Sequence, residues 1–106
     1  QILPHMKAVG FGRIINIGSQ TAIRGMPLAG PYCSSKAAVH SLTHTIALEN
    51  CNGVTCNAIV PGIIDTPANR NNMPDADHAG WVTLEGLANN IEKILLSKKN
   101  GVLLEV

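Results

Sequence analysis

The sequence lacks the features of proteins that bind membranes or nucleic acids. Its 106 residues contain no apolar run of the ~18 residues needed to span a bilayer. The formal net charge is only +1, which gives no strong attraction to nucleic acid or acidic lipid. We therefore expect neither as a partner. With 45% hydrophobic and 14% charged residues, the composition is that of one small globular domain with a buried core.

Cysteine is also scarce. Cys33, Cys51 and Cys56 are odd in number and do not form a disulfide framework, which favours a reduced, cytoplasmic setting. Cys51 and Cys56 lie near each other in the sequence, but a zinc site needs two further ligands. We therefore predict no metal site.

A glycine-rich phosphate loop is missing as well. No G-x-G-x-x-G or G-x-x-x-G-x-G pattern opens a helix anywhere in the chain. The chain starts at Gln1 rather than at methionine, and residues 1–8 have the pattern of the last turns of a helix. We therefore expect the sequence to be a fragment of a longer chain.

Apolar segments and glycine or proline breaks alternate along the sequence. Short β-branched runs predict buried strands, and apolar residues at helical spacing predict helices. Strands are expected at residues 13–17, 54–60 and 101–106, helices at 31–49 and 83–97, and irregular loops at 20–31 and 66–80. This alternation predicts an α/β fold with a parallel sheet and crossover helices.

The two long helices have predicted apolar faces and ends. In the first, Ala38, Leu42 and Ala47 or Leu48 recur at helical spacing, and Val39 and Ile46 widen that face. The predicted face of the second helix consists of Leu84, Leu87, Ile91, Ile94 and Leu95. We expect Gly53 to form a left-handed cap after the first helix, and Thr83 to cap the start of the second.

Ser19, Tyr32 and Lys36 form the pattern with the clearest chemical meaning. Ser19 lies just beyond the carboxyl end of a predicted strand, where open α/β sheets place their ligands. Tyr32 lies thirteen positions later and Lys36 four positions after that. A spacing of four puts both side chains on one face of a helix. Because a nearby ammonium ion favours the phenolate form of a phenol, Tyr32 is a candidate general acid or base.

A Pro-Gly-x-x-x-Thr block, Pro61 to Thr66, follows about thirty residues after Tyr32. Together with the run 12–19 and Tyr32-x-x-x-Lys36, it resembles the short-chain dehydrogenases/reductases over nearly the whole chain. Residues 65–77 resemble in particular the dihydropteridine-reductase branch and its bacterial relatives. Ser19 is typically absent from that branch, so its presence favours a general carbonyl or alcohol substrate over a pterin.

The resemblance implies a function and a set of site residues. Residues 1–106 would be the C-terminal half of a Rossmann-type, doubly wound NAD(P)-binding domain, and the phosphate loop would lie upstream. Tyr32 would be the acid/base, Ser19 would orient the substrate oxygen, and Lys36 would hold the cofactor ribose. The residues implied on the nicotinamide side of NAD or NADP are Pro61, Gly62, Ile64 and Thr66.

Two alternatives remain open, a non-catalytic remnant that only packs or oligomerises, and a dihydropteridine-reductase-like activity. Without the phosphate loop, the 106-residue chain alone is expected to be inactive. The resemblance also implies a homodimer or homotetramer through the 31–49 helix. His40 and His44 on that helix are predicted to be surface or interface residues, and Trp81 is predicted to anchor the last helix by packing.

Overall fold

Helices and strands alternate along the chain in the computed structural model, which describes residues 1–50 and 52–106. Within these residues the helices and strands are, in order, α1 Ile2–Val9, β1 Gly12–Ile17, α2 Thr21–Arg24, α3 Gly30–Glu49, β2 Val54–Val60, α4 Pro67–Asn72, α5 Leu84–Leu95 and β3 Leu103–Glu105. None of the helices in this part of the chain is long and apolar enough to cross a membrane.

The three strands form a parallel sheet in the order β1-β2-β3. Gly12 pairs with Val54 at one end of the β1–β2 ladder, and Ile17 pairs with Ile59 at the other. All seven residues of β2 are buried, which requires cover on both faces of the sheet. Helices α3 and α5 both pack against β1 and β2 and supply that cover. The predicted α/β fold with crossover helices is therefore confirmed.

Two asparagines hold the turn before β3 against the central strand. Asn57 is only 1% exposed; its Nδ2 donates to the Lys99 carbonyl at 2.9 Å, and its Oδ1 accepts from the Val102 N–H at 3.0 Å. The Oδ1 atom of Asn100 accepts from the Cys56 N–H at 2.9 Å. Because buried backbone groups need partners, these bonds fix where β3 joins the sheet. The final strand begins at Leu103, two residues later than predicted.

Both segments predicted as loops contain a short helix. Residues 20–31 include α2, which ends at Gly25, where φ is 76°. Residues 66–80 include α4, where Thr66 is the N-cap and its Oγ1 accepts from the Asn69 N–H at 3.2 Å. Pro67 follows at the first helical position, where its missing N–H costs nothing. These capping interactions stabilise α4, which was not predicted because its sequence is rich in proline and asparagine.

The predicted apolar face of α3 is confirmed at Ala47, which is buried, and at Val39 and Ile46, which are half-buried. It is wrong at Leu42 and Leu48, which are 54% and 82% exposed, and at Ala38, which is exposed too. The buried residues of the helix are His40, Thr43 and Ala47, which recur at helical spacing. The face of α3 that packs against the sheet is therefore one whose polar groups have hydrogen-bond partners on the strands. The Asn16 Nδ2 of β1, for example, donates to the Thr43 Oγ1 at 2.9 Å.

The predicted cap at Gly53 is also wrong. Helix α3 already ends at Glu49, so Gly53 belongs to the turn into β2. Its φ of 82° is left-handed, and a Cβ there would lie 1.9 Å from the Gly10 carbonyl oxygen. Glycine is therefore required by this turn rather than by the helix end.

The start of α5 is confirmed and its apolar face is confirmed in part. The Thr83 Oγ1 accepts from the Gly86 N–H at 3.0 Å, which is the predicted cap. Ile94 is buried, and Leu87 and Ile91 are half-buried. The predicted inward positions of Leu84 and Leu95 are wrong, since they are 59% and 40% exposed. The helix ends at Leu95, slightly earlier than expected.

Candidate active site

A cleft of about 680 Å³ opens beside the carboxyl ends of β1 and β2. This is the edge at which parallel α/β sheets bind ligands. The predicted site residues that line the cleft are Ser19, Tyr32, Lys36, Pro61, Gly62 and Ile64. The fold therefore brings together six of the seven residues that the sequence singled out.

Ser19 is held at the end of β1 by bonds on two sides. The N–H groups on both sides of it bond to the neighbouring chain, Gly18 to the Ile59 carbonyl at 2.8 Å and Gln20 to the Pro61 carbonyl at 3.0 Å. The Ser19 N–H donates to the His40 Nε2 at 3.3 Å. The Ser19 Oγ lies 2.9 Å from the Thr21 Oγ1 and accepts from the Thr21 N–H at 3.3 Å. With 6% exposure, Ser19 has a fixed position in the cleft wall.

Tyr32 and Lys36 lie one turn apart in the first half of α3. Helix α3 starts at Gly30 with a proline in its first turn, which suits the missing N–H of that residue. The Lys36 Nζ donates to the Ile17 carbonyl at 2.9 Å and lies 6.0 Å from the centre of the Tyr32 ring. Tyr32 is 48% exposed, so its hydroxyl has access to a molecule in the cleft. The ammonium ion of Lys36 thus lies near the Tyr32 ring, and its role toward the phenol hydroxyl stays a prediction.

The segment after β2 forms another wall. Pro61 is buried, and its carbonyl accepts from the Gln20 N–H at 3.0 Å. The Gly62 N–H donates to the Val106 carbonyl at 3.0 Å. Ile64 forms a parallel bridge with Val82 and faces the cleft. These contacts tie the segment to the chain that follows β1, to the residue before the Thr83 cap of α5, and to the last residue.

Thr66 does not line the cleft. Its hydroxyl caps α4, as described above, and is therefore already used by the fold. A role for Thr66 toward a cofactor stays a prediction.

His40 is buried, so its predicted place at the surface or at an interface is wrong. It is only 7% exposed and packs beneath the end of β1. Burial lowers its pKa, and the nearby positive charges of His44 and Lys36 lower it further. His44 is exposed, as predicted.

Three further cleft residues come from the segment predicted as a loop or from just after it. Trp81, predicted as a packing anchor, lines the cleft; its ring lies 4.3 Å from the His78 ring, at an interplanar angle of 55°. Asn69 and Met73, on α4 and at its end, line the cleft as well. Asn69 and Met73 are four residues apart, which puts them on one side of a helix. This spacing could have indicated a shared face only if α4 had been predicted.

The charged residues that line the cleft, Arg24 and Lys36, are both cations. The Arg24 Nη2 forms an ion pair with the Glu105 Oε2 at 2.7 Å, which links α2 to β3. On the outer side, Arg70 makes two hydrogen bonds to Asp65, and this pairing lowers the pKa of the Asp65 carboxyl. Because Glu105 offsets the charge of Arg24, the positive charge in the cleft lining rests mainly on Lys36.

Metal-binding side chains do not cluster in the described part of the chain. Residues 1–50 and 52–106 contain no group of three or more histidine, cysteine or acidic side chains that could hold an ion. Cys33 is half-buried and Cys56 buried, and both are free thiols; burial raises the pKa of Cys56. Cys51 lies outside the described residues, so the prediction for it stays open.

Comparisons of sequence and of structure with known proteins agree on one family. The short chain dehydrogenase family matches residues 1–77. The chain is 38% identical over 90 residues to D-beta-hydroxybutyrate dehydrogenase of Rhizobium meliloti (strain 1021), covering 84% of this chain and 35% of that protein. It is 42% identical over 74 residues to 7alpha-hydroxysteroid dehydrogenase of Clostridium sardiniense, covering 69% of this chain and 28% of that protein. A solved structure described as ElxO with NADP bound superposes with a TM-score of 0.86 at 28% identity, covering 98% of this chain and 48% of that one.

The chain therefore belongs to the short chain dehydrogenase family, as the resemblance implied, and it has that family's Rossmann-type fold. It spans about half of the solved structure and a smaller share of the two curated relatives. The finer resemblance to the dihydropteridine-reductase branch stays a prediction.

Proposed function

We propose that the intact protein carrying this chain is an NAD(P)-dependent oxidoreductase that interconverts a carbonyl compound and an alcohol. The observation that carries the proposal is the convergence of Ser19, Tyr32 and Lys36 on one cleft at the carboxyl ends of parallel strands. The names of the two curated relatives, a hydroxybutyrate and a hydroxysteroid dehydrogenase, support an alcohol as the substrate class.

The cleft residues fit a nicotinamide dinucleotide. Charged groups in the lining are cationic, which suits an anionic cofactor, and the Lys36 ammonium can donate to ribose hydroxyls. Pro61, Gly62 and Ile64 would lie beside the nicotinamide. The bound nicotinamide would supply or accept the hydride. The solved relative with NADP bound supports this cofactor class, and NAD and NADP are both retained.

The chain's own residues would then manage the substrate oxygen and its proton. Ser19 would donate a hydrogen bond that orients the oxygen, because its hydroxyl is fixed at the cleft wall by Thr21. The Tyr32 hydroxyl would give a proton to the carbonyl oxygen during reduction and remove it during oxidation. Lys36 would place its positive charge beside the tyrosine, since its Nζ lies 6.0 Å from the centre of the Tyr32 ring.

A role in assembly is a second candidate with its own observation. The outer face of α3 exposes Ala38, Leu42 and Leu48 to solvent. Ala38 and Leu42 are four residues apart and share one face, and exposed apolar side chains favour a protein–protein contact. This supports a homodimer or homotetramer through α3, either beside catalysis or, in the alternative of a non-catalytic remnant, in place of it.

The test is the substitution Tyr32→Phe in the intact protein, which keeps the ring and removes the proton. Activity is measured with NADH, NADPH and their oxidised forms against hydroxy acids, hydroxysteroids and a pterin. We expect kcat to fall by about 10²-fold or more, the scale for loss of a general acid or base. Ser34→Ala removes a hydroxyl from an exposed site on the same helix and serves as the control. Parental kcat in Tyr32→Phe, where a deuterium isotope effect shows that chemistry limits the rate, would refute the proposal.

A further inference from the structure

His40 meets the end of β1 at close range. Its Nε2 lies 3.3 Å from the Ser19 backbone nitrogen, and the side chain is only 7% exposed. The approach is possible because residue 18 is glycine: a Cβ there would lie 2.1 Å from the same Nε2. Tyr32, Lys36 and His40 are spaced by four residues along α3, so the histidine continues the face that carries the proposed acid/base pair.

The direction of this hydrogen bond fixes the state of the ring. A backbone N–H can only donate, so the Nε2 of His40 must be an unprotonated acceptor, and the proton of the neutral ring must reside on Nδ1. A doubly protonated ring has no acceptor and would set two donors against each other.

We propose that His40 is a positioning residue, whose neutral ring accepts the Ser19 N–H and so holds the Ser19 hydroxyl where it can orient the substrate oxygen. This inference rests on the proposed function. The two sides of Ser19 are held separately, because His40 fixes its backbone while Thr21 fixes its hydroxyl. Loss of the His40 acceptor leaves a buried N–H unpaired, and the residue shifts to find another partner.

The surroundings of His40 favour the neutral ring. On its own helix, Lys36 and His44 add positive charge, which together with burial lowers its pKa. The ionisable groups on the neighbouring elements are Arg13 at the far end of β1, Cys56 on β2, and Arg24 on exposed α2. Cys56 stays neutral because burial raises its pKa, so none of these three groups supplies a negative charge. The Ser19 contact is therefore formed at neutral pH and is lost in acid.

Two substitutions separate the hydrogen bond from the volume of the ring. His40→Leu fills similar space without an acceptor, whereas His40→Gln can place an amide oxygen near the position of Nε2 and accept at any pH. In the intact protein we expect His40→Leu to lower kcat roughly 10- to 100-fold, the scale for a misplaced catalytic group. His40→Gln should keep kcat within about threefold at pH 8 and lose the acid limb of the kcat–pH profile that His40 controls. His44→Gln, an exposed site one turn away, should match the parental kcat at pH 8.

A cycle with Ser19→Ala shows whether His40 acts through the serine. If it does, His40→Leu has little further effect on kcat once the serine hydroxyl is gone. An equal effect with and without that hydroxyl overturns the proposal, as does parental kcat in His40→Leu. Should His40→Leu not fold, an unchanged acid limb in His40→Gln overturns it too.

An activity-free measurement distinguishes this inference from the proposed function. The amide signal of Ser19 in ¹⁵N NMR should shift with the titration of His40 in the parent and not in His40→Gln. If activity is absent or insensitive to Tyr32→Phe, the proposed function fails, and this titration still decides the contact. A Ser19 amide signal that ignores the ionisation of His40 shows that the histidine does not hold the serine.

Discussion

Gly18→Ala is the sharpest test of how the end of β1 packs against α3. The new Cβ would lie 2.1 Å from the His40 Nε2 and 2.7 Å from its Cδ2, far inside van der Waals contact. It would also lie 3.3 Å from the Val60 Cγ2. Because β2 is buried and central, the sheet cannot yield easily, and the histidine ring must move.

Two costs follow from that movement. Overpacking a well-filled core costs about 1–3 kcal/mol of unfolding free energy. Displacing the ring also leaves the Ser19 N–H without its acceptor, which costs about 1–3 kcal/mol for a buried group. The combined loss of about 2–6 kcal/mol is a large part of the ~5–15 kcal/mol that stabilises a typical protein. We therefore expect the substituted protein to unfold at much lower denaturant concentration.

Equilibrium urea unfolding of the intact protein, at one fixed protein concentration, measures this loss. Gly30→Ala adds the same methyl group where no atom lies within 4 Å, and it should change stability by less than about 0.5 kcal/mol. In a His40→Ala background the space is open, so Gly18→Ala should cost much less there. Equal costs for Gly18→Ala in both backgrounds, or a cost no greater than that of Gly30→Ala, would refute the packing argument.

Three further outcomes are expected in the same intact protein. Asn57→Ala should lose about 2–4 kcal/mol in urea unfolding, because two buried bonds to the turn before β3 disappear; a loss below 1 kcal/mol would contradict this. Thr83→Ala should lose about 1 kcal/mol and Thr83→Ser much less, since only serine restores the cap; equal losses would contradict the capping role. Because the pKa of His40 is lowered in the fold, the unfolded chain binds more protons below its ordinary value of 6.5. The free energy of unfolding should therefore fall as pH drops below about 6.5, and His40 should not affect it above that pH. His40→Gln should show a smaller fall in acid than the parent. An equal fall in both proteins would contradict the prediction.

The parts of the fold that could be predicted are those that depend on local pattern. The run Val54–Val60 reads as a buried strand because it is apolar and bounded by glycine and proline, and the structure gives the same bounds. Tyr32 and Lys36 share a face because they are four residues apart on a helix. Ser19 reaches the cleft because it lies two residues beyond the carboxyl end of β1. Each of these inferences needs only the geometry of one element.

The orientation of α3 could not be predicted in this way. Hydropathy favours Leu42 over Thr43 as the buried residue, yet Thr43 is fully buried and Leu42 exposed. Thr43 avoids the cost of burial because its hydroxyl donates to the Val39 carbonyl and accepts from Asn16, which lies 27 residues earlier. A partner at that separation is known only when the strand and helix are placed together. The burial of His40 could not be predicted for the same reason, since its partner, the Ser19 N–H, lies 21 residues earlier.

The contact between α3 and β1 sets the geometry of the whole candidate site. Successive turns of the helix bind the two residues that flank Gly18: Lys36 donates to the Ile17 carbonyl, and His40 accepts from the Ser19 N–H. Lys36 thus binds a backbone acceptor, the Ile17 carbonyl, and His40 binds a backbone donor, the Ser19 N–H. A shift of α3 along β1 by one helical turn would break both bonds. Because Tyr32 lies on the same helix one turn before Lys36, these bonds also fix the acid/base candidate relative to Ser19. The relative placement of Tyr32 and Ser19 therefore depends on these two bonds between α3 and the end of β1.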